Sequence, residues 1–322
     1  MSVWTIVLAE GHAGRLQKQI EEWFETPCPK QFCAFCGTRS MLSHTLHRAT
    51  RIADEERIVT IVSKDHRCFL DHSLPGRCLE QPSKRGTGVG VFLAVTEILA
   101  EDPDATAVIL PADHFVFPED RFVEQIEETI RLADSFPRKL VLSGIKAEGP
   151  ETDHDWVEPG RAYEHARRPI DGTREVNGLH AKPSPQEAVE WWRSGFYWNT
   201  RIVTARLKGL WELGWQLVPS VVYRFNQYLN ILYAIQDGAI GVDEKELFLS
   251  LVYEDIPTTD LVSQVLARAS NQSLFFTLRD LYWSDWGRPE RILETIERFG
   301  LKANFRGGFH EGPKQRQPQL SI

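Results

Sequence analysis

A chain of 322 residues, 42% hydrophobic and 25% charged, can bury a large core, which excludes wholesale disorder. Its net charge of −8 argues against nucleic acid as the main partner. No apolar run approaches the ~18 residues of a membrane span. The opening "MSVWTIVLA" lacks the basic stretch of a secretory leader, so the expected location is the cytoplasm, with no membrane partner.

In chain order, "VWTIVLA" reads as a buried strand and "RLQKQIEEWFE" as the start of a helix. "SHTLHRATRIAD" reads as a helix and "RIVTIVS" as a strand. The helix "GVFLAVTEILAED" leads into the strand "TAVILPAD", and the helix "DRFVEQIEETIRLADSF" into the strand "KLVLSGI". Repeated strand–helix–strand units with β-branched strands predict a largely parallel sheet covered on both faces. From about Glu148 to Lys182 the pattern breaks into Pro, Gly and mixed charge, which predicts an irregular inserted segment. Helices are expected at "SPQEAVEWWRSG", "VVYRFNQYLNILYAIQ" and "TDLVSQVLARAS". A strand region, "LFFTLRDLYWSDWG", and the helix "RPERILETIERFG" close the fold. Residues 306–322 are polar and rich in Gly, Pro and Gln, and are expected to be a disordered tail.

Five cysteines fit a reducing compartment. Cys28, Cys33 and Cys36 are close in sequence, but no further ligand pair follows at zinc-ribbon spacing, so they read as buried or incidental thiols.

In an open α/β sheet, ligands sit beyond the carboxyl ends of the strands. Three stretches with chemistry fall there. The loop "LAEGHAGRL" leaves the first strand through Gly11 and Gly14 and places Arg15 after them. Glycines let the backbone approach phosphate oxygens, a helix N-terminus offers N–H donors, and arginine adds a fixed fork of charge. The loop lacks both Walker and full dinucleotide fingerprints, and a plain strand-to-helix turn reads equally well. "VILPADH" delivers Asp113 just past a strand, where a carboxylate suits Mg²⁺ or caps a helix. "YWSDWGRPERI" places Asp285 between a strand and a helix, again as a metal ligand or a cap. Sheet topology would let the two aspartates converge on one metal.

Taken in order, "LAEGHAGRL", "CPKQF", "LPADH", "PETDHDWVEPG", "HAKP", "SGFYWNT" and "WSDWGRPER" resemble the sugar-1-phosphate nucleotidyltransferases, closest to the mannose-1-phosphate guanylyltransferase branch. The resemblance runs from about Val3 to Gly300. It implies a three-layer α/β/α, Rossmann-like fold with a mostly parallel mixed sheet, forming one nucleotidyltransferase domain over residues 1–305. It implies Mg²⁺-dependent transfer from a nucleoside triphosphate, GTP first, to a sugar 1-phosphate, mannose 1-phosphate first. The alternatives are UTP or dTTP with another sugar, or a non-catalytic nucleotide-binding paralog. A homo-oligomer is compatible with the sequence.

Matching positions imply that Arg15 and Lys30 face the triphosphate and the leaving pyrophosphate, and that Asp113 and Asp285 hold Mg²⁺. Lys182 would contact the sugar phosphate and Asn199 the sugar. Leu8, Gly11 and Gly14 would line the nucleotide, and Arg85 and Thr87 belong to the base-binding loop. Some positions depart from the family pattern. Glu10 and Ala13 replace glycines of L-A-G-G-x-G-T-R-L, and Gly14 replaces its threonine. Ala181 stands for the usual glutamate before Lys182, and Arg201 for a glycine. Lys84 and "GVG" depart from an N-T-A-P-A-like loop. The expectation for Glu10 is a side chain that turns from the phosphates.

Overall fold

The computed structural model describes residues 2–11, 14–70, 73–166 and 168–306. In chain order the elements are β1 (Val3–Leu8), α1 (Gln17–Phe24), α2 (Met41–Ala49), β2 (Ile58–Ser63), β3 (Arg77–Gln81), α3 (Thr87–Glu101) and β4 (Thr106–Pro111). There follow β5 (Phe115–Phe117), α4 (Glu119–Ser135), β6 (Leu140–Lys146), β7 (Trp156–His165), β8 (Arg168–His180), α5 (Pro185–Arg193) and β9 (Tyr197–Arg206). The last are α6 (Leu207–Leu217), α7 (Pro219–Gln236), α8 (Lys245–Glu254), β10 (Ser273–Leu278), β11 (Tyr282–Ser284) and α9 (Pro289–Phe299).

Among the described residues, nine strands form one sheet in the order β3-β2-β1-β4-β9-β6-β10-β8-β7. β9 and β8 run against the others, so the sheet is mixed but mostly parallel. Apolar side chains leave both faces of β1. Trp4 and Ile6 pack into one core with α3, α6 and α7, whereas Val7 and Ala9 pack into the other with α2 and α4. That two-sided burial gives the three layers, as expected. Residues 88–99 of α3 are all buried, the mark of a helix covered on every side. α5 begins at a reciprocal cap, in which Ser184 Oγ accepts from the Glu187 amide and the Ser184 amide donates to the Glu187 carboxylate.

Four expectations need correction. The stretch 148–182 is not irregular: β7 and β8 pair antiparallel at the sheet edge, with register shifts around Pro159. Their polar faces meet solvent, and in β8 the buried Thr173, Val176 and Leu179 recur every third residue, which hides the strand period. The final strand region is split: β10 joins the main sheet while β11 pairs with β5 in a separate ribbon. "TDLVSQVLARAS" forms a π-turn over Val262–Leu266 and then a 3-10 turn over Ala267–Gln272, not a regular α-helix. Arg306, assigned to the tail, is docked: its amide donates to the Trp23 carbonyl at 3.3 Å and its guanidinium pairs with Glu25. The rest of the expected tail, 307–322, lies outside the described residues. No helix among the described residues is long and apolar enough to cross a membrane.

Candidate active site

Strand β1 lies between β2 and β4, so the chain switches direction across the sheet at the ends of β1 and β4. Leu8 and Pro111 face each other there, and the Ala112 amide donates to the Leu8 carbonyl at 3.0 Å. The Leu8 side chain packs against the α3 core. Beyond it, Gln31 anchors the loop: its Nε2 donates to the carbonyls of Ala9 at 2.7 Å and Gly11 at 3.0 Å. Gly11 and Gly14 are exposed, and a β-carbon on either would meet nothing within 4 Å. Gly14 has φ +50°, which glycine adopts without strain. Ala13 lies outside the described residues. Arg15 sits in the 3-10 turn Gly14–Leu16, and its side chain is likewise outside them.

The two aspartates approach each other through the small ribbon. β5 and β11 pair antiparallel with Phe115 opposite Ser284. Asp113 just precedes β5 and Asp285 just follows β11, so both emerge at the same end. Lys30 joins them: its Nζ is 2.7 Å from Asp113 Oδ2 and donates to the Asp285 carbonyl. The sequence argument expected both aspartates to follow strands of one sheet; the ribbon brings Asp285 in instead. Lys30 is only 5% exposed, held by the 3-10 turn Lys30–Phe32.

Charge around this point is tightly matched. Asp285 Oδ1 accepts from Arg291 Nη1 at 2.6 Å and from the Gly287 amide at 2.9 Å, and His154 Nδ1 lies 3.5 Å from Oδ2. Burial would raise the Asp285 carboxyl, but the His154 ring, Lys30 and Arg291 prevail and hold it well below the usual carboxylate range. Burial also opposes ionisation of Asp113, which Lys30 and then His114 outweigh. Burial pushes the His114 imidazole down to about 4 and that of His154 to about 3. Arg291 also pairs with Glu151 at 2.8 Å, and Arg288 pairs with Glu151 and with Asp153, the latter at 3.0 Å. The Asp113 carboxylate and the Asp285 main-chain carbonyl meet at the Lys30 ammonium, which supplies the cation at this point, while the Asp285 carboxylate is turned to Arg291, His154 and the Gly287 amide.

The remaining expected residues are spread around the cleft. Asn199 is buried in β9; its Oδ1 accepts from the Arg201 amide at 3.1 Å, while its Nδ2 is buried with no partner. Arg201, at φ +59°, pairs with the buried Asp155 at 2.8 Å. Lys182 is exposed just past β8, at φ +46°. Arg85 and Thr87 turn to the segment after α8: Arg85 donates to the Glu254 carbonyl at 3.1 Å, and Thr87 Oγ1 accepts from the Leu261 amide at 3.1 Å. Sequence reasoning missed Gln31, His154, Asp155 and Arg291 as site members. The "PKQF" and "PETDHD" motifs were the available signals. A cavity of about 820 Å³ lies beside the ribbon, lined by Phe35, His44, Arg48, Phe115 and Trp286; Lys30, Asp113 and Asp285 are not in its wall. Cys33 and Cys36 are buried and all five cysteines are free thiols.

Glu10 follows the alternation of β1 and points to the α3 side. Its Oε1 comes within 2.8 Å of where a β-carbon on Gly90 would stand. That oxygen is buried with no hydrogen-bond partner, and burial pushes the carboxyl up to about 8.

Residues 6–300 match the Nucleotidyl transferase family, and the chain belongs to it. It is 29% identical over 321 residues to xanthan biosynthesis protein XanB of Xanthomonas campestris, covering 96% of this chain and 62% of XanB. It is 27% identical over 308 residues to an Escherichia coli mannose-1-phosphate guanylyltransferase, covering 92% and 60%. The chain thus spans somewhat less than two thirds of the length of these curated relatives. Among solved structures, one described as a mannose-1-phosphate geranyltransferase from Thermus thermophilus superimposes with a TM-score of 0.72 at 24% identity, covering 92% of this chain and 79% of that one. A UDP-glucose pyrophosphorylase complexed with UDP-glucose gives 0.55 at 10% identity, covering 93% and 99%. Both are similar in fold.

Proposed function

We propose that this protein transfers a nucleotidyl group from a nucleoside triphosphate to a sugar 1-phosphate, with GTP and mannose 1-phosphate as the first substrate pair. One observation carries the reading: the β5–β11 pairing sets Asp113 and Asp285 on Lys30, beside an open glycine loop at the switch point of the sheet. Family membership and the names of the relatives support it.

In the proposed reaction, a phosphate oxygen of the sugar 1-phosphate attacks the α-phosphorus in line. The bond from the α-phosphorus to its bridging oxygen breaks, and pyrophosphate leaves with the charge. The protein contributes position and charge rather than covalent chemistry. Asp113 and Asp285 would hold Mg²⁺, which when bound neutralises phosphate oxygens. Lys30, buried beside Asp113, would meet charge developing on the leaving group, and Arg15 would do so from the loop. Lys182 would hold the sugar phosphate. Asn199 would donate its unpartnered Nδ2 to a sugar hydroxyl.

A screen of pyrophosphate release, crossing nucleoside triphosphates with sugar 1-phosphates in Mg²⁺, tests this. Release with at least one pair is expected. Nucleotide binding without release from any pair would favour a non-catalytic paralog instead.

A further inference from the structure

The segment that carries Lys30 and Gln31 is bracketed by two free cysteines, Cys28 and Cys33. Both sulfurs lie 3.6 Å from the same Pro29 carbonyl oxygen, and Cys33 Sγ is 3.8 Å from the Cys28 carbonyl. The turn between them is short and braced: the Phe32 amide donates to the Pro29 carbonyl at 2.9 Å and the Cys33 amide to that of Lys30 at 3.0 Å. Cys28 is half-buried, whereas Cys33 is 3% exposed. The two thiols are hydrogen-bonded to each other. That bond holds Cys28 below the ordinary thiol value, against the burial that would raise it. It pushes Cys33 up, as do burial and the Cys28 charge, while Lys30 pulls the other way.

A reachable thiol poised to ionise, with a second thiol behind it, is the arrangement that thiol–disulfide exchange needs. The exchange requires an electron acceptor, and a low-molecular-weight disulfide is one. The Cys28 thiolate attacks a sulfur of that disulfide, forming a mixed disulfide and expelling the first small thiolate. Capping Cys28 removes its charge, so Cys33 loses one cause of its raised value and keeps the help of Lys30. Cys33 then gives its proton to the expelled thiolate and attacks the Cys28 sulfur. A Cys28–Cys33 bridge closes and the second small thiolate leaves. Two electrons have passed from the cysteine pair to the small disulfide.

We infer that Cys28 and Cys33 form a redox modification site that draws Lys30 away from Asp113 when their bridge closes. A disulfide holds its sulfurs at about 2 Å, much closer than a hydrogen bond between thiols. The bridge therefore pulls on both ends of the turn 29–32. From this turn Lys30 Nζ reaches Asp113 and the Asp285 carbonyl, and Gln31 holds the carbonyls of Ala9 and Gly11. Both side chains are buried among fixed partners, so free side-chain movement does not absorb a shift of their backbone. Closure thus loosens the carboxylate corner and the anchor of the glycine loop together. Its effect on turnover rests on the proposed function; the bridge and the release of Lys30 do not.

The test treats the full chain with oxidised glutathione and reverses the treatment with dithiothreitol. Trypsin cuts after Lys30, so the bridged protein yields peptides 19–30 and 31–39 joined by a disulfide. Joined peptides are expected from the wild type and from Cys36→Ala, and not from Cys28→Ser or Cys33→Ala. Melting curves confirm that the variants fold, and Cys28→Ser, at the half-buried position, disturbs packing least. A buried, ion-paired ammonium reacts slowly with acetic anhydride, so acetylation of Lys30, read by mass spectrometry, should speed up about fivefold or more in the bridged protein. It should slow again on reduction. Pyrophosphate release should fall about tenfold or more and recover with dithiothreitol, while Cys28→Ser stays active in both conditions. A glutathione adduct that stops on Cys28, a bridge through Cys36, or a bridge that leaves Lys30 acetylation unchanged within about twofold would overturn the inference. A bridge that speeds acetylation in a protein releasing no pyrophosphate under any condition would sustain it and overturn the proposed reaction. Pyrophosphate release by a wild type that forms no bridge would do the opposite.

Discussion

Two corners of this cleft are built on opposite principles. Around Asp285, the charged groups are answered within the protein: Arg291, His154 and the Gly287 amide meet the carboxylate, and Lys30 bridges to Asp113. Around Glu10, two buried polar atoms meet nothing. The first corner holds its charges in place whatever is bound. The second, at Glu10 Oε1 and Gln81 Nε2, carries the cost of two unmet hydrogen bonds.

The comparison breaks most readily at Lys30. If Lys30 acts as proposed on leaving-group charge, Lys30→Ala should lower turnover by about 10²-fold or more. Turnover within a factor of three of wild type, with a native melting curve, would remove Lys30 from the chemistry. Next comes Arg291→Met. It takes one partner from the half-buried Asp285 and Glu151 carboxylates, and should cost about 2 kcal/mol by denaturant unfolding. A loss below about 1 kcal/mol would mean that His154 and the Gly287 amide suffice to hold Asp285.

At the other corner, the sign of the effect reverses. The Glu10 carboxyl titrates near 8 when folded against 4.5 when free. Between those values the unfolded chain loses the proton and the folded one keeps it. Stability is therefore full below pH 4.5, falls as pH rises to 8, and is flat beyond. Glu10→Gln removes that dependence and should be more stable than wild type at pH 8, on the order of 2 kcal/mol, with the gap closing toward pH 4.5. A gap that does not change with pH would show that Glu10 is ionised in the folded protein. The smallest effect is expected for Tyr253→Phe, which frees Gln81 Oε1 and should cost about 1 kcal/mol in thermal unfolding. A loss below about 0.3 kcal/mol would mean that the Tyr253 hydroxyl contributes little to holding Gln81.

Most of the scaffold was legible because its strands are apolar runs between helices with regular stripes. Val3–Leu8, Ile58–Ser63 and Thr106–Pro111 carry few polar residues and have nowhere to go but a covered sheet. β7 and β8 were hidden because edge strands with bulges lose their period, so "RRPIDGTREVNG" reads as loop. The direction of Glu10 was available in the alternation Ile6, Leu8, Glu10. Its neighbours Gln81, Gly90 and Tyr253 were not, because nothing local in a sequence says which distant residues a strand end will meet. The nearness of Asp113 and Asp285 was expected for a partly wrong reason: short β11 carries too little pattern to show that it leaves the main sheet.

The ribbon of β5 and β11 also has a temporal side. Lys30 and Asp285 are 255 residues apart, and Trp283 of β11 donates to His114 across 169. Contacts of such sequence separation form late, after the loop-closure entropy of the intervening chain has been overcome. During synthesis the glycine loop, β1 and β4 can assemble long before Asp285 emerges from the ribosome. The Asp285 carbonyl therefore reaches Lys30 only after β11 has been made and has paired with β5. Until then Lys30 has Asp113 as its partner and lacks the Asp285 carbonyl.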